Sequence, residues 1–257
     1  MLIVISPAKT LDMEPARIVT QSQPQFLPQA AQLAQILRAL DAPALSRLMG
    51  ISDELAQLNV ARFAAWRPEM RAPEAKQAVL AFAGDVYDGL QADTLDQAGL
   101  EWAQQYLRIL SGLYGLLRPL DLMLPYRLEM GTRLNTGAGV GLYKFWGETQ
   151  TRALQQAAAD SASDTLLNLA SEEYFKAVQE EKLGLQVIHP VFEDEKNGKY
   201  KVISFFAKRA RGAMARYAIT QRLRDPLALQ EFNWEGYAFA PHASEGLRWV
   251  FRRRAPA

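Results

Sequence analysis

Apolar residues in this chain come in short runs, and their spacing changes from one segment to the next. "LIVI" at 2–5 is a continuous apolar run closed by Ser6-Pro7, the pattern of a short buried strand with Lys9 in the loop beyond it. Residues 14–28 are rich in Pro and Gln and read as a surface loop. Leu33, Ile36, Leu37 and Leu40 recur at helical spacing and predict a helix over 30–40. Asp41-Ala42-Pro43 stops it and starts another, and two helical segments then flank Gly50. Further along, the pattern predicts a strand at 79–82 leading into "GDVYDGL" and helices at 98–107 and 143–159. It also predicts a strand at 165–169 and a helix capped by Ser171 that runs to Val178. Residues 110–131 follow no single period. In "VIHPVFEDEKNGKYKVISFF" (187–206), Asn197-Gly198 separates two β-rich runs. Both residues tolerate the positive φ of a tight hairpin, so a hairpin is expected there, feeding directly into a helix. Strands and helices are mixed without regular alternation, and no repeat or linker divides the chain. The expected architecture is one compact α/β (mixed α+β) domain over residues 1–257.

Composition narrows the chemistry. The chain has 257 residues, 49% of them hydrophobic, and no cysteine. Disulfides, thiol catalysis, iron–sulfur ligation and Cys-based zinc sites are excluded. The two histidines, His189 and His242, share no metal-ligand spacing, so no metal and no cofactor are expected. "MLIVISPAKT" lacks the basic start and long apolar run of a signal peptide, and no stretch has the apolar length of a bilayer span. A cytoplasmic protein without a membrane partner is expected. No GxGxxG, Walker loop or GxSxG occurs.

Charge changes the picture most. The net charge is only +1, yet nine Lys or Arg and no acid fall between Lys196 and Arg224. Four more Arg and no acid fall between Arg248 and Arg254, where Arg252–Arg254 read as a disordered tail. Projected as a helix, residues 207–223 place Lys208, Arg209, Arg211, Arg216 and Arg222 on one side, with small and apolar residues opposite. A row of guanidinium groups suits phosphate esters, and a solvated helix face is the plain alternative. Met49-Gly50-Ile51-Ser52 lies between two helical patterns, as in a helix–hairpin–helix, where the second helix offers backbone N–H groups to a DNA phosphate. Asp53 and Glu54 in its first turn would repel that phosphate.

Six blocks, in order along nearly the whole chain, together resemble the bacterial peroxide-stress protein YaaA family. They are "ISPAKTLD" (5–12), "LMGISDELAQLNVARF" (48–63), "GDVYDGLQA" (84–92), "LSGLYGLLRPLDLMLPYRLEMG" (110–131), "NLASEEYFKAV" (168–178) and "VFEDEKNGKYKVISFFAKRARGAMARY" (191–217). The resemblance implies an unusual single-domain α/β fold, a cytosolic role in protection from hydrogen peroxide, and DNA binding through a helix–hairpin–helix and a positively charged cleft. Carried onto this chain, it implies Met49, Gly50, Ile51 and Ser52 as the hairpin. Lys9, Arg118, Arg127, Lys208, Arg209 and Arg211, with Arg216 on the same helix, are candidates for the cleft.

The expected function is binding of double-stranded or branched DNA with little sequence preference in the oxidative-stress response, through DNA protection or repair or by limiting iron-dependent damage. The rival is a nucleic-acid-processing enzyme, hydrolase or glycosylase-like, in the same cleft. Its candidate catalytic groups are Lys9, Asp121 and Glu129, with Ser171, Glu172 and Glu173 opening a helix nearby in sequence. Pairing of Arg118 and Arg127 with Asp121 and Glu129 is the structural alternative. Tyr87, Tyr114, Tyr126 and Tyr174 could stack on bases, or serve as core residues with bonded hydroxyls. An iron-handling protein is a third class, disfavoured by the scarcity of His and lack of Cys. Oligomeric state is left open.

Overall fold

The computed structural model describes residues 1–16 and 20–254. Residues 17–19 of the expected Pro/Gln-rich loop therefore lie outside the described residues. Eight strands form the main sheet: β1 (Leu2–Ile5), β2 (Leu107–Ser111), β3 (Gly115–Leu117), β4 (Thr165–Leu169), β5 (Gln186–Lys196), β6 (Lys199–Lys201), β7 (Tyr237–Phe239) and β8 (Arg248–Arg253). Their spatial order is β7-β8-β5-β4-β1-β2-β3, with β6 folded back on β5. The five central strands are parallel, and antiparallel strands finish both edges. All four residues of β1 are buried, because a central parallel strand is covered on both faces and loses polar alternation. The longer helices are α1 (Leu27–Arg38), α2 (Ala42–Met49), α3 (Asp53–Ala65), α4 (Asp85–Leu90), α5 (Gln97–Tyr106), α6 (Thr149–Asp160) and α7 (Ser204–Thr220). Asp41 and Asp96 cap α2 and α5 by accepting the N–H of Ala44 and Gly99.

Four local expectations are corrected. Residues 78–81 form a helical turn, and only Phe82-Ala83 is extended, paired with Thr10-Leu11. An apolar run this short does not distinguish a strand from a buried helical turn. The helix expected over 143–159 breaks at Gly147, whose φ of 50° and ψ of −119° suit glycine, into Leu142–Trp146 and α6. Ser171 occupies the cap position without capping. Its N–H donates to Ser6 Oγ, and Glu172–Phe175 passes into a 3-10 turn at Lys176–Val178. Arg252 and Arg253 lie in β8, not in a tail, because register places them against Glu193 and Asp194 of β5.

The hairpin forms as expected, with Asn197 at φ 56° and Gly198 at φ 72°. The second strand is shorter than the sequence suggests, since Ser204-Phe205-Phe206 already opens α7. That helix is buried on more than one side, through Ala207, Ala210, Gly212, Ala213, Met214, Ala215, Ala218 and Ile219. It packs on β5 and, most extensively, on α4. Gly212 and Gly89 permit the second contact: a Cβ on Gly212 would stand 1.7 Å from the Val86 carbonyl oxygen, and one on Gly89 2.1 Å from that of Arg209.

Candidate functional site

Ser6 and Ser171 follow the carboxyl ends of the adjacent parallel strands β1 and β4, where open α/β sheets hold their ligands. Ser6 Oγ accepts the Ser171 N–H at 2.8 Å and ties the two loops together. Between these loops, the start of α4 and α7 lies a cleft of about 440 Å³. Its charged lining is Lys9, Lys208 and Arg211 against Asp85, Glu129 and Glu173, with Tyr174 beside them. The charge is mixed, so the site is not a purely basic groove.

The pairing within it is uneven. Lys9 Nζ lies 2.9 Å from Glu129, whose other carboxylate oxygen is 3.1 Å from Arg127. Lys208 reaches Asp85 only at 4.0 Å. Both lysine side chains are more than half exposed. Glu173 Oε1 accepts the Gly131 N–H at 2.9 Å. Among the described residues no carboxylate pairs with Arg211, although it is half-buried and burial lowers its pKa. Behind Glu129, Arg127 Nε is buried without a hydrogen-bond partner. The pKa of Arg62 on α3 is lowered by burial and then by the charge of Arg127. Burial foremost, then nearby Tyr126, Glu173 and Glu129, raises the pKa of Tyr174 and keeps its phenol neutral.

Arg211 also lines a second hollow that contains Asn168, Glu180 and His189. Asn168 Oδ1 accepts the Ala170 N–H at 3.0 Å, so its amide nitrogen faces His189 Nδ1 at 3.3 Å as donor. The other ring nitrogen, Nε2, lies 2.9 Å from Glu180 Oε1.

Of the residues singled out from sequence, Lys9, Glu129, Ser171, Glu173, Tyr174, Lys208 and Arg211 come together, with Arg127 adjoining through Glu129. Others do not. Arg118 pairs with Asp121 and lines a separate hollow with Arg108 and Asp160. Asp121 is 1% exposed, and its carboxylate is taken up by Arg118 and Ser22. Arg209 bonds Glu235 at 2.7 Å. Arg216 donates to the carbonyls of Leu90 and Gln91, closing the end of α4. Met49, Gly50, Ile51 and Ser52 join α2 to α3, with Gly50 at φ 62° and Ser52 Oγ accepting the Leu55 N–H, and they do not line the cleft. Sequence reasoning missed Ser6, Arg62, Asp85 and the Asn168–His189–Glu180 chain. Ser6 and Asp85 do stand in the "ISPAKTLD" and "GDVYDGLQA" blocks. Among the described residues no group of three His, Asp or Glu could hold a metal ion, and no helix is long and apolar enough to cross a membrane.

Comparison with known proteins bears on the whole chain. Residues 1–243 match the family model described as peroxide stress protein YaaA. A protein of Cupriavidus metallidurans, named UPF0246 protein, is 57% identical over 258 residues, with 99% of each chain covered. Namesakes from Ralstonia nicotianae and Janthinobacterium are each 56% identical, over 99% of this chain and 100% and 99% of their own lengths. A match of this extent leaves one conclusion: the chain belongs to the peroxide stress protein YaaA family.

Proposed function

We propose that this protein binds DNA with little sequence preference as part of the defence against hydrogen peroxide, and that the cleft at the ends of β1 and β4 takes a phosphate of that DNA. The observation that carries the reading is Arg211, a half-buried guanidinium with no carboxylate partner among the described residues. A desolvated cation gains most from a bound anion, and its planar fork matches phosphate oxygens. Lys208, exposed and 4.0 Å from its carboxylate, and Lys9, exposed although paired with Glu129 at 2.9 Å, can turn to the same ligand. Arg118, Arg209 and Arg216 drop out of this reading because each is already engaged elsewhere. The α2–α3 turn, Met49 to Ser52, would be a separate contact outside the cleft.

Fluorescence anisotropy with an unspecific duplex tests the proposal. Lys9→Gln, Lys208→Gln and Arg211→Gln each lower affinity and reduce the salt slope by about 0.9, one phosphate contact apiece. Unchanged affinity and slope in all three, with circular dichroism intact, would remove the cleft from DNA binding.

A second reading, a nucleic-acid-processing enzyme of hydrolase or glycosylase-like type, has its own support. A cleft of about 440 Å³ admits one extruded nucleotide and not a duplex, and it holds Glu129 and Lys9 2.9 Å apart beside a neutral phenol. Incubation with damaged or branched DNA, with and without divalent metal, decides it. A product that disappears in Glu129→Gln supports the enzyme, and no product from any substrate leaves binding alone.

A further inference from the structure

We propose that the hairpin β5–β6 and the first turn of α7 form a second nucleic-acid surface, one that takes single-stranded nucleic acid by stacking its bases on Phe205 and Phe206. Neither ring lines the cleft, although Phe205 stands one helical turn before Lys208, and this surface is tested with different residues. Phe205 is 55% and Phe206 37% exposed, edge to face at 5.5 Å, and Val202 beside them is also exposed. Large apolar groups left in water on a helix end ask for a partner.

The charge around them says which one. Antiparallel register sets Lys196 opposite Lys199 and Asp194 opposite Lys201, so these four side chains share one face of the hairpin. Glu195 and Tyr200 share the other face, where Arg252 lies over the Tyr200 ring. The single acid on the lysine face is already spent: Asp194 is buried, bonded to Arg253 at 2.6 Å and to the Tyr237 hydroxyl at 3.0 Å. Arg253 itself is stacked between Phe206 and Tyr237, at 4.5 and 4.6 Å from the ring centres. Arg253 thus packs against the Phe206 ring. Among the described residues Lys196, Lys199 and Lys201 make no ion pair, and all three are exposed. Two lysines directly opposite each other repel, a cost that a polyanion would remove. Rings for bases beside cations for phosphates are the two halves of a single-strand platform. Duplex DNA keeps its bases stacked and offers nothing to the rings.

The experiment measures binding of the full chain to a fluorescent oligodeoxythymidylate of twelve nucleotides and to a duplex of equal length. Phe205→Ala, at an exposed site, weakens the single strand about tenfold and leaves the duplex unchanged. Lys199→Glu gives Lys196 an opposite charge, so the hairpin melts no earlier while the single-strand salt slope falls by about 0.7. Equal losses for duplex and single strand, or no loss in either variant, would overturn the proposal. So would polyglutamate competing as well as the oligonucleotide, or a concentration-dependent dimer that Phe205→Ala dissolves. Lys9→Gln acts on the cleft alone, so failure of one surface is distinguishable from failure of the other.

Discussion

Gly212→Ala tests whether the site depends on the close packing of α7 against α4. Alanine is the better helix former by about 1 kcal/mol, so a helix judged by itself would gain. The neighbour forbids it. The new methyl carbon would lie 1.7 Å from the Val86 carbonyl oxygen and 2.9 Å from the Leu90 nitrogen. Carbon meets a carbonyl oxygen at roughly 3.3 Å, so α7 must retreat by about 1.6 Å. The obstacle is backbone, which has no rotamer to change, so the cost belongs at the upper end of the 1–3 kcal/mol range for overpacking. Set against the propensity gain, the net loss is about 2 kcal/mol. In a chain of this size that lowers Tm by about 4–8 °C. The same retreat carries Lys208 and Arg211 away from the cleft, so duplex affinity falls although no charge has changed. Gly137→Ala is the control, since nothing lies within 4 Å of its added carbon. Scanning fluorimetry of both variants beside the parent gives the answer. If Gly212→Ala melts within a degree of the parent, the close approach of α7 and α4 does not hold the site.

Asp121→Asn separates a structural carboxylate from a chemical one. It leaves Arg118, itself partly exposed, without its counter-charge, and costs about 2 kcal/mol in urea unfolding. Any DNA affinity or turnover should survive in the fraction that remains folded, and selective loss of turnover would return Asp121 to the active groups. Alkaline titration reads the buried tyrosines. Burial raises the pKa of Tyr87, Tyr114, Tyr126 and Tyr174 above the ordinary phenol value. A raised acid pKa gives stability that is full below the unfolded value near 10 and is lost as pH climbs beyond it. Their absorbance change at 295 nm should therefore appear together with the loss of tertiary circular dichroism. Early, gradual ionisation without unfolding would contradict their burial.

The architecture was legible where a single physical cause acted locally. "LIVI" reads as a strand because a continuous short apolar run suits a two-sided burial, and Asn197-Gly198 marks the hairpin because few residues take positive φ. Gly50 between two helices was legible for the same reason. Legibility failed where the deciding partner was remote. A lone glycine inside a helical pattern, as at Gly147, does not say by itself whether the helix breaks there, and nothing near Ser171 says that its amide will bond Ser6, 165 residues earlier.

The charges show this most clearly. Read along the chain, Lys208, Arg209, Arg211 and Arg216 are one basic patch. In space Arg209 belongs to Glu235, Arg216 to the end of α4, and Lys208 and Arg211 to the cleft. The Arg252-Arg253 pair, read as tail, is held by Glu193 and Asp194 inside the sheet. A guanidinium already satisfied by a carboxylate or a carbonyl has little left to offer a phosphate, so the number of basic residues is a poor measure of binding. What matters is which cations the fold leaves without a partner. Arg211 in the cleft and the lysines of the hairpin are such groups, and they sit on two different surfaces. A segregated basic segment in a nearly neutral chain is thus divided by folding into cations held in structural contacts and cations left unpaired, and partners remote in sequence decide the division.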